Sequence, residues 1–416
     1  MPNLLIEIGT EELPTDSLDI LYSSLGTKAA EILKKLRLTH GKIRTEATPR
    51  RIVLFVETLA ARQPDQTLEI SGPSFEKAYD DKGAPTQALQ GFLKSKGAKP
   101  EDVQIKETPK GKFIQIFRKE TGKPAQAVVK DFFTELLNAM SFPKNMRWEP
   151  TGFRFPRPVR WLVVLLDKKI VPVQIADVKS SNKSFGHRFL SPRQFTILSA
   201  DWRLYVKLLA KAHVVLELEE RKKQIRKHLD SRFQQKDFDE DLVHTAAHLV
   251  EEPFSIRGSF SKTYLELPAE VLHSCMKKNQ KIFTCYDRQR KPDGHFVAVL
   301  NGKRKGLSEI QRGYENVLAA RLHDARYFYE MDTREKLESK LDLLSQIVFL
   351  GKLGTMKDKT ERIEKLADQF ARFIGRDDAR ADLKKVARLS KIDLMTHLVY
   401  EFPDLQGIAG REYALA

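Results

Sequence analysis

KNMRWEPTGFRFPRPVRWLVVLL, residues 144–166, sets four arginines among prolines and aromatics directly ahead of a six-residue apolar run. Pro156 and Pro158 exclude an α-helix, because a proline ring removes a backbone donor and clashes with the preceding turn. Each also pushes the residue before it toward extended geometry. A polyproline-like path repeats about every three residues, so Arg154, Arg157 and Arg160 are expected along one side of it. The run WLVVLL, residues 161–166, is short, apolar and partly β-branched, which reads as a buried strand. The expectation is a rigid strap of guanidinium groups anchored by a core strand.

The same texture recurs elsewhere. LLIEIGTEELP, residues 4–14, predicts a strand over Leu4–Ile8, a turn at Gly9 and Thr10 as the N-cap of a following helix. ATPRRI, residues 47–52, puts Arg50 and Arg51 where a loop enters a strand running to Thr58. Gly186, His187 and Arg188 mark a turn. Arginine's planar fork suits phosphate oxygens and stacks on bases. Arg50, Arg51, Arg147, Arg154, Arg157, Arg160, His187 and Arg188 are therefore the candidate binding residues. The alternative is that the arginines pair with internal carboxylates such as Glu7, Glu11 and Glu12.

Charge favours the first reading. The formal net charge is +16 over 416 residues, and residues 144–232 hold 20 Lys and Arg against 8 Asp and Glu, a local excess of +12. Residues 331–416 hold 16 against 15, near balance. A concentrated positive field points to a polyanionic partner, and nucleic acid leads because neutralised phosphates release counterions. No apolar stretch reaches the ~18 residues needed to cross a bilayer. The N-terminus lacks the basic region and cleavage site of a secretory signal. Cys275 and Cys285 have no metal-like spacing and suit a reduced cytosol. A cytoplasmic protein without membrane contact is expected.

Length predicts several domains. Residues 1–65 and 144–330 read as one α/β body. Residues 66–143 read as an inserted α+β module, with turns at Asp81-Lys82-Gly83 and Gly97. The module also holds a hairpin turning near Thr121-Gly122 and a helix with apolar residues at Val128, Phe132, Leu136 and Met140. From about residue 331 strand signals fade into successive helices, and Ala416 falls partway through that helical region. Catalytic motifs are not found: G-x-x-x-x-G-K-[ST], G-x-G-x-x-G, G-x-S-x-G and H-E-x-x-H do not occur. His244 and His248 are four apart but lack the zincin glutamate between them. Asp393 and His397 are four apart and could face one another, and His323-Asp324 is the upstream His-Asp dipeptide. These leave a metal-dependent HD-type phosphohydrolase as a rival reading, with a generic RNA-binding scaffold as another.

Taken together, LLIEIGTEELP, ATPRRI, FPKNMRW (142–148), FRFPRPVRWLVVLL (153–166) and GHRFLSP (186–192) resemble the β subunit of the bacterial two-subunit glycyl-tRNA synthetase. LVEEPFSIRGSF, YLELPAEVL, NVLAARLHDARYFYE, LGKLGTMKDKTERI and DLMTHLVYEFPDLQGIAGREYA follow in order, so the resemblance runs along essentially the whole chain. It implies an α2β2 enzyme that joins glycine to tRNA(Gly), with ATP and Mg used by the α subunit and no cofactor or metal on this chain. It also implies that the chain itself has no catalytic residue for aminoacylation. The candidate residues become tRNA-binding or subunit-docking positions. The implied fold is α+β and multidomain: a B3/B4-like mixed α/β region with the insert, then a degenerate HD-type all-helical domain. By the same resemblance, the family's C-terminal anticodon-binding domain is expected to lie outside this chain.

Overall fold

Strand β1 (Leu4–Thr10) is buried at all seven positions. It is followed by α1 (Thr15–Lys35), β2 (Ile43–Thr48) and β3 (Arg51–Val56). Next come β4 (Gln66–Ser74), α2 (Phe75–Ala78), α3 (Gln87–Lys96), β5 (Val103–Thr108), β6 (Gly111–Glu120) and α4 (Ala125–Ala139). β7 (Val159–Leu166) and β8 (Lys169–Ile170) precede the short pairs β9 (Gln174–Ile175) with β10 (Val178–Lys179) and β11 (Lys183–Phe185) with β12 (Gln194–Thr196). Helix α5 (Trp202–Lys211) closes this part of the chain. The computed structural model describes residues 1–416 apart from 81–82, 110, 234–238 and 304. Asp81 and Lys82 of the expected turn lie outside the described residues. The chain is mixed α/β and divides into two compact units, Met1–Gly186 with Pro192–Lys211, and His187–Ser191 with Ala212–Ala416.

In the first unit β1 is the centre of an antiparallel sheet ordered β2-β3-β1-β7-β8. Successive side chains point to opposite faces. One face gathers Leu4, Ile6, Ile8, Ile52, Leu54, Leu162 and Val164 against Leu18, Leu21 and Leu25 of α1 and Val128, Phe132 and Leu136 of α4. Burial of each such side chain contributes about 1.5–3 kcal/mol. Covering both faces explains why β1 and β7 read as mostly apolar runs. Thr10 does not cap α1. The helix starts at Thr15 behind Pro14, while Thr10 closes β1 at a register shift against β7.

The insert is smaller than its expected span of 66–143. A sheet ordered β4-β6-β5 holds its own core of Ala78, Leu89, Leu93, Ile114 and Ile116. Helix α4 belongs instead to the core of the main sheet, because its apolar stripe faces that sheet. The hairpin turn expected at Thr121-Gly122 is not there: β6 is one strand through residue 120, paired with β5 from Thr108↔Gly111 onward. Gly122 is required by close approach. A Cβ there would lie 1.8 Å from the Gln63 carbonyl.

The second unit contains α6 (Leu218–Phe233), α7 (Glu240–Leu249), β13 (Pro253–Ser259), α8 (Ala269–Ser274) and a π turn over Cys275–Gln280. After β14 (Phe283–Tyr286) and β15 (Pro292–Asn301) come α9 (Leu307–Thr333), α10 (Met356–Phe373), α11 (Arg380–Leu389), α12 (His397–Glu401) and α13 (Ile408–Leu415). Its larger sheet is ordered β13-β15-β14, and a short antiparallel pair, β16 (Val348–Leu350) with β17 (Gly354–Thr355), interrupts the end expected to be all-helical. Residue 331 is no break in packing. Phe296 and Ala298 of β15, Leu318, Leu322 and Ala325 of α9, and Leu398, Val399, Phe402 and Ala409 form one core.

Asp393 and His397 do not face one another. Asp332, 4% exposed, takes the His397 imidazole at 2.9 Å and the His397 and Leu398 backbone N–H groups at 3.0 Å, with the Tyr413 hydroxyl at 2.9 Å. Asp393 is buried and accepts from the Gly407 backbone. The two side chains serve different partners, and His323-Asp324 is exposed on α9. No helix among the described residues is long and apolar enough to cross a membrane.

Candidate nucleic-acid interface

At the C-terminal end of β1 three separate sequence blocks are stitched together by the backbone. Thr10 N–H donates to the Arg50 carbonyl at 2.8 Å, Glu11 N–H to that of Pro158 at 3.0 Å, and Leu13 N–H to that of Pro49 at 2.6 Å. Directly behind this edge is a buried polar hub on the sheet face opposite α1. Glu7 Oε1 accepts from Trp161 Nε1 at 2.8 Å, Ser184 Oγ at 2.7 Å and Arg51 Nη1 at 3.3 Å. Glu7 Oε2 accepts from the Tyr205 hydroxyl at 2.9 Å. Burial, together with the neighbouring carboxylate, pushes the Tyr205 phenol well above its ordinary range, so it remains a donor.

Arg51 is therefore not a surface residue. It is 0% exposed, bonded to Glu7 and to the Phe185 carbonyl at 3.2 Å, and leaves the set of docking candidates. The reason is strand alternation: Arg51 pairs with Gly9 in register and points to the face that β11 and α5 cover. Its neighbour Arg50 is half-buried, its guanidinium over the Trp161 ring at 5.4 Å, with that of Arg51 at 5.6 Å. A Cβ on Gly9 would lie 1.9 Å from the same indole. Only glycine lets Trp161 lie flat across β1.

The strap behaves differently from a polyproline helix. Met146 and Phe155 exchange backbone hydrogen bonds at 2.9 and 3.3 Å, and Gly152 supplies a left-handed φ of 76° at the turn between them. An aromatic chain pins the loop: Phe142 on Phe155 at 5.3 Å, Phe155 on Phe153 at 6.1 Å, Phe153 on Trp148 at 6.0 Å. With Phe153 and Phe155 turned inward, extended backbone turns Arg154 outward. Arg147, Arg154, Arg157 and Arg160 are all exposed. Arg160 lies in β7 and not in the strap, and it meets Glu11 at 2.7 Å. With both side chains reached by solvent, that pair is worth about 0–1 kcal/mol. Arg157 turns back to the Pro156 carbonyl at 2.8 Å. Among the described residues Arg147 and Arg154 have no carboxylate within ion-pair distance.

His187 and Arg188 belong to the second unit. His187 is buried: its Nε2 meets Asn301 Oδ1 at 2.8 Å, and its Nδ1 accepts from the Phe189 and Leu190 N–H groups at 3.2 Å. Asn301 Oδ1 also accepts the Glu251 N–H at 2.8 Å, so the imidazole carries its proton on Nε2 and shapes the turn. Arg188 and Phe189 are exposed, with the guanidinium 6.0 Å from the ring centroid. His244 and His248 meet Nε2 to Nε2 at 3.1 Å on α7. Sequence reading missed Trp161, Ser184, Tyr205 and Asp332. Glu7 was visible as the lone acid in an apolar strand.

A family model described as glycyl-tRNA synthetase beta subunit matches residues 4–416. The chain is 36% identical over 417 residues to the glycine–tRNA ligase beta subunit of Bacillus subtilis, covering 99% of this chain and 61% of that protein. It is 38% identical over 415 residues to the corresponding subunit of Clostridioides difficile and 35% over 418 to that of Desulforamulus reducens, covering 99% of this chain and 60% of each relative. The chain thus spans about three fifths of the length of these relatives. It belongs to the glycyl-tRNA synthetase beta subunit family.

Proposed function

We propose that the chain is the tRNA-binding, non-catalytic part of a glycine–tRNA ligase, acting in the cytoplasm with a separate α subunit. That partner forms an α2β2 assembly with it and carries out glycine activation with ATP and Mg. The single observation supporting this reading is the pinned loop of residues 146–155, which holds Arg147 and Arg154 outward in the segment of +12 excess. Phosphate oxygens are the natural partners of guanidinium forks held in this way. Arg157 and Arg160 extend the candidate surface of the first unit, with Arg50 at its edge, and Arg188 is a separate candidate on the second unit. In this reading the N-terminal mixed α/β region is B3/B4-like and the end from residue 331 is a degenerate HD-type domain.

The test is tRNA(Gly) affinity across a salt series, with and without a glycyl synthetase α chain, alongside aminoacylation. The expected plot of log K against log salt slopes downward, and Arg154→Ala and Arg157→Ala each flatten it by about one phosphate contact. A flat plot for the unaltered chain removes the phosphate surface. Glycine activation by the isolated chain removes the division of labour.

A further inference from the structure

A concave site lies far along the chain from the arginine loop, within the second unit. The pocket of about 450 Å³ is bounded by α8, the π turn, Tyr286 and the start of α13. Its wall is largely apolar, from Ala269, Leu405 and Ile408, and its polar groups are His273, Lys277 and Lys278 with their acidic partners. That size and balance match small-ligand sites, where an apolar wall receives a ring and a few polar groups orient it.

Two features set this pocket apart from an incidental groove. The first is the π-helical turn, a rare backbone form that recurs at functional sites. It ends on Lys281 with φ of 53°, left-handed backbone that a non-glycine residue holds only where surrounding structure imposes it. The second is the charge arrangement. Asp239 is met by Lys277 and, at 3.5 Å, by His273, while Asp404 is met by Ser274 and, at 3.2 Å, by Lys278. Glu270 is taken by Arg411 at 2.7 Å. Every carboxylate around the pocket already has its cation. Each lysine ammonium has three N–H groups and one carboxylate partner among the described residues, so Lys277 and Lys278 keep donors for an anion.

We infer that this pocket takes one nucleotide unit, its phosphate on Lys277 and Lys278 and its base against Leu405 and Ile408 at the Tyr286 edge. A phosphate alone would leave the apolar wall uncovered, and an apolar ligand would leave the ammonium groups unused. The unit is either a free mononucleotide or an unpaired nucleotide of an RNA, since both present the same ring and phosphate. The inference does not rest on the arginine loop.

The test measures equilibrium binding of AMP and of a single-stranded RNA hexamer to the full chain and to two variants. Ile408→Trp fills the pocket without changing its charge. The Lys277→Gln, Lys278→Gln double variant keeps the shape and removes the ammonium groups. Ile408→Trp occupies the space assigned to the base and displaces it from the aliphatic wall, so it is expected to weaken binding about 5-fold or more. The lysine double variant is expected to weaken it similarly and to flatten the salt dependence. Binding of AMP identifies a free nucleotide, and binding of the hexamer alone identifies RNA. Equal affinity of both variants and the unaltered chain for both probes overturns the site. An unchanged tRNA affinity in Arg154→Ala then bears on the loop alone, which keeps the two failures apart. Should Ile408→Trp not fold, the lysine variant still decides, because Lys278 is exposed and Lys277 partly so.

Discussion

Replacing Glu7 by glutamine removes one oxygen and one charge from a site that 0% of solvent reaches. Glu7 now receives four donors, three on Oε1 and one on Oε2. The glutamine oxygen serves best in the Oε1 position, facing Trp161, Ser184 and Arg51. Its amide then faces the Tyr205 hydroxyl, which must rotate to accept. The hydrogen bonds largely survive, whereas the negative charge beside the Arg51 guanidinium does not. Breaking a buried ion pair by removing one partner costs about 3–5 kcal/mol. The lower end applies here, since Arg51 keeps its bonds to the Phe185 carbonyl. Trp148, Trp161 and Trp202 all lie in the first unit, so tryptophan fluorescence during urea unfolding reports on that unit. With a slope of about 2 kcal/mol per molar urea, the midpoint should fall by about 1.5 M. Glu7→Gln combined with Arg51→Met removes both charges and should recover about 2 kcal/mol of the summed single losses. A midpoint shift below about 0.3 M for Glu7→Gln, or strictly additive losses in the double variant, would refute the hub as a coupled buried pair.

Two further outcomes rest on equally local geometry. Gly9→Ala puts a methyl group 1.9 Å from the Trp161 indole, so the ring must leave its position over β1. A loss of about 2–3 kcal/mol is expected, with a red-shifted fluorescence maximum, and an unchanged spectrum would count against the packing described. Burial pushes the Cys275 and Cys285 thiols up to about 12 from 9.0. The folded chain therefore keeps two protons that the unfolded chain releases as pH rises above about 8.5. Stability must fall with rising pH between about 9 and 12, by up to about 1.4 kcal/mol per pH unit for each thiol. Urea midpoints at pH 8, 9 and 10 for the unaltered chain and for Cys275→Ala, Cys285→Ala check this; parallel declines would show that the thiols titrate normally.

What the sequence made legible follows from which forces leave a local trace. β1 and β7 are covered on both faces, and that condition leaves predominantly apolar runs, interrupted in β1 by the buried Glu7. The i, i+4 stripe of Val128, Phe132 and Leu136 likewise revealed a helix with one buried face. It carries no information about which sheet the face meets, so sequence alone groups α4 with the insert, whereas its stripe packs on the main sheet. Gly122 illustrates the same limit. Glycine beside threonine in a β-rich segment has the composition of a turn, yet the residue is there because the Gln63 backbone passes within contact of it.

The arginines carry the point furthest. Arg50 and Arg51 are adjacent and chemically identical, yet Arg50 lies in the turn before β3 and Arg51 opens the strand, whose two faces alternate. Which side becomes interior is decided by Ser184 and Tyr205, 177 and 198 residues from Glu7 in the chain, where no periodicity can reach. The loop of residues 146–155 escapes that ambiguity, because its own aromatics choose the inward side: Phe153 and Phe155 bracket Arg154 and leave it one direction to face. An arginine flanked by two aromatics at i−1 and i+1 on extended backbone is thus predictably outward, whereas one at the mouth of a strand is not. The charge excess of the segment located a surface. The bracketing aromatics identified which of its guanidinium groups would reach it.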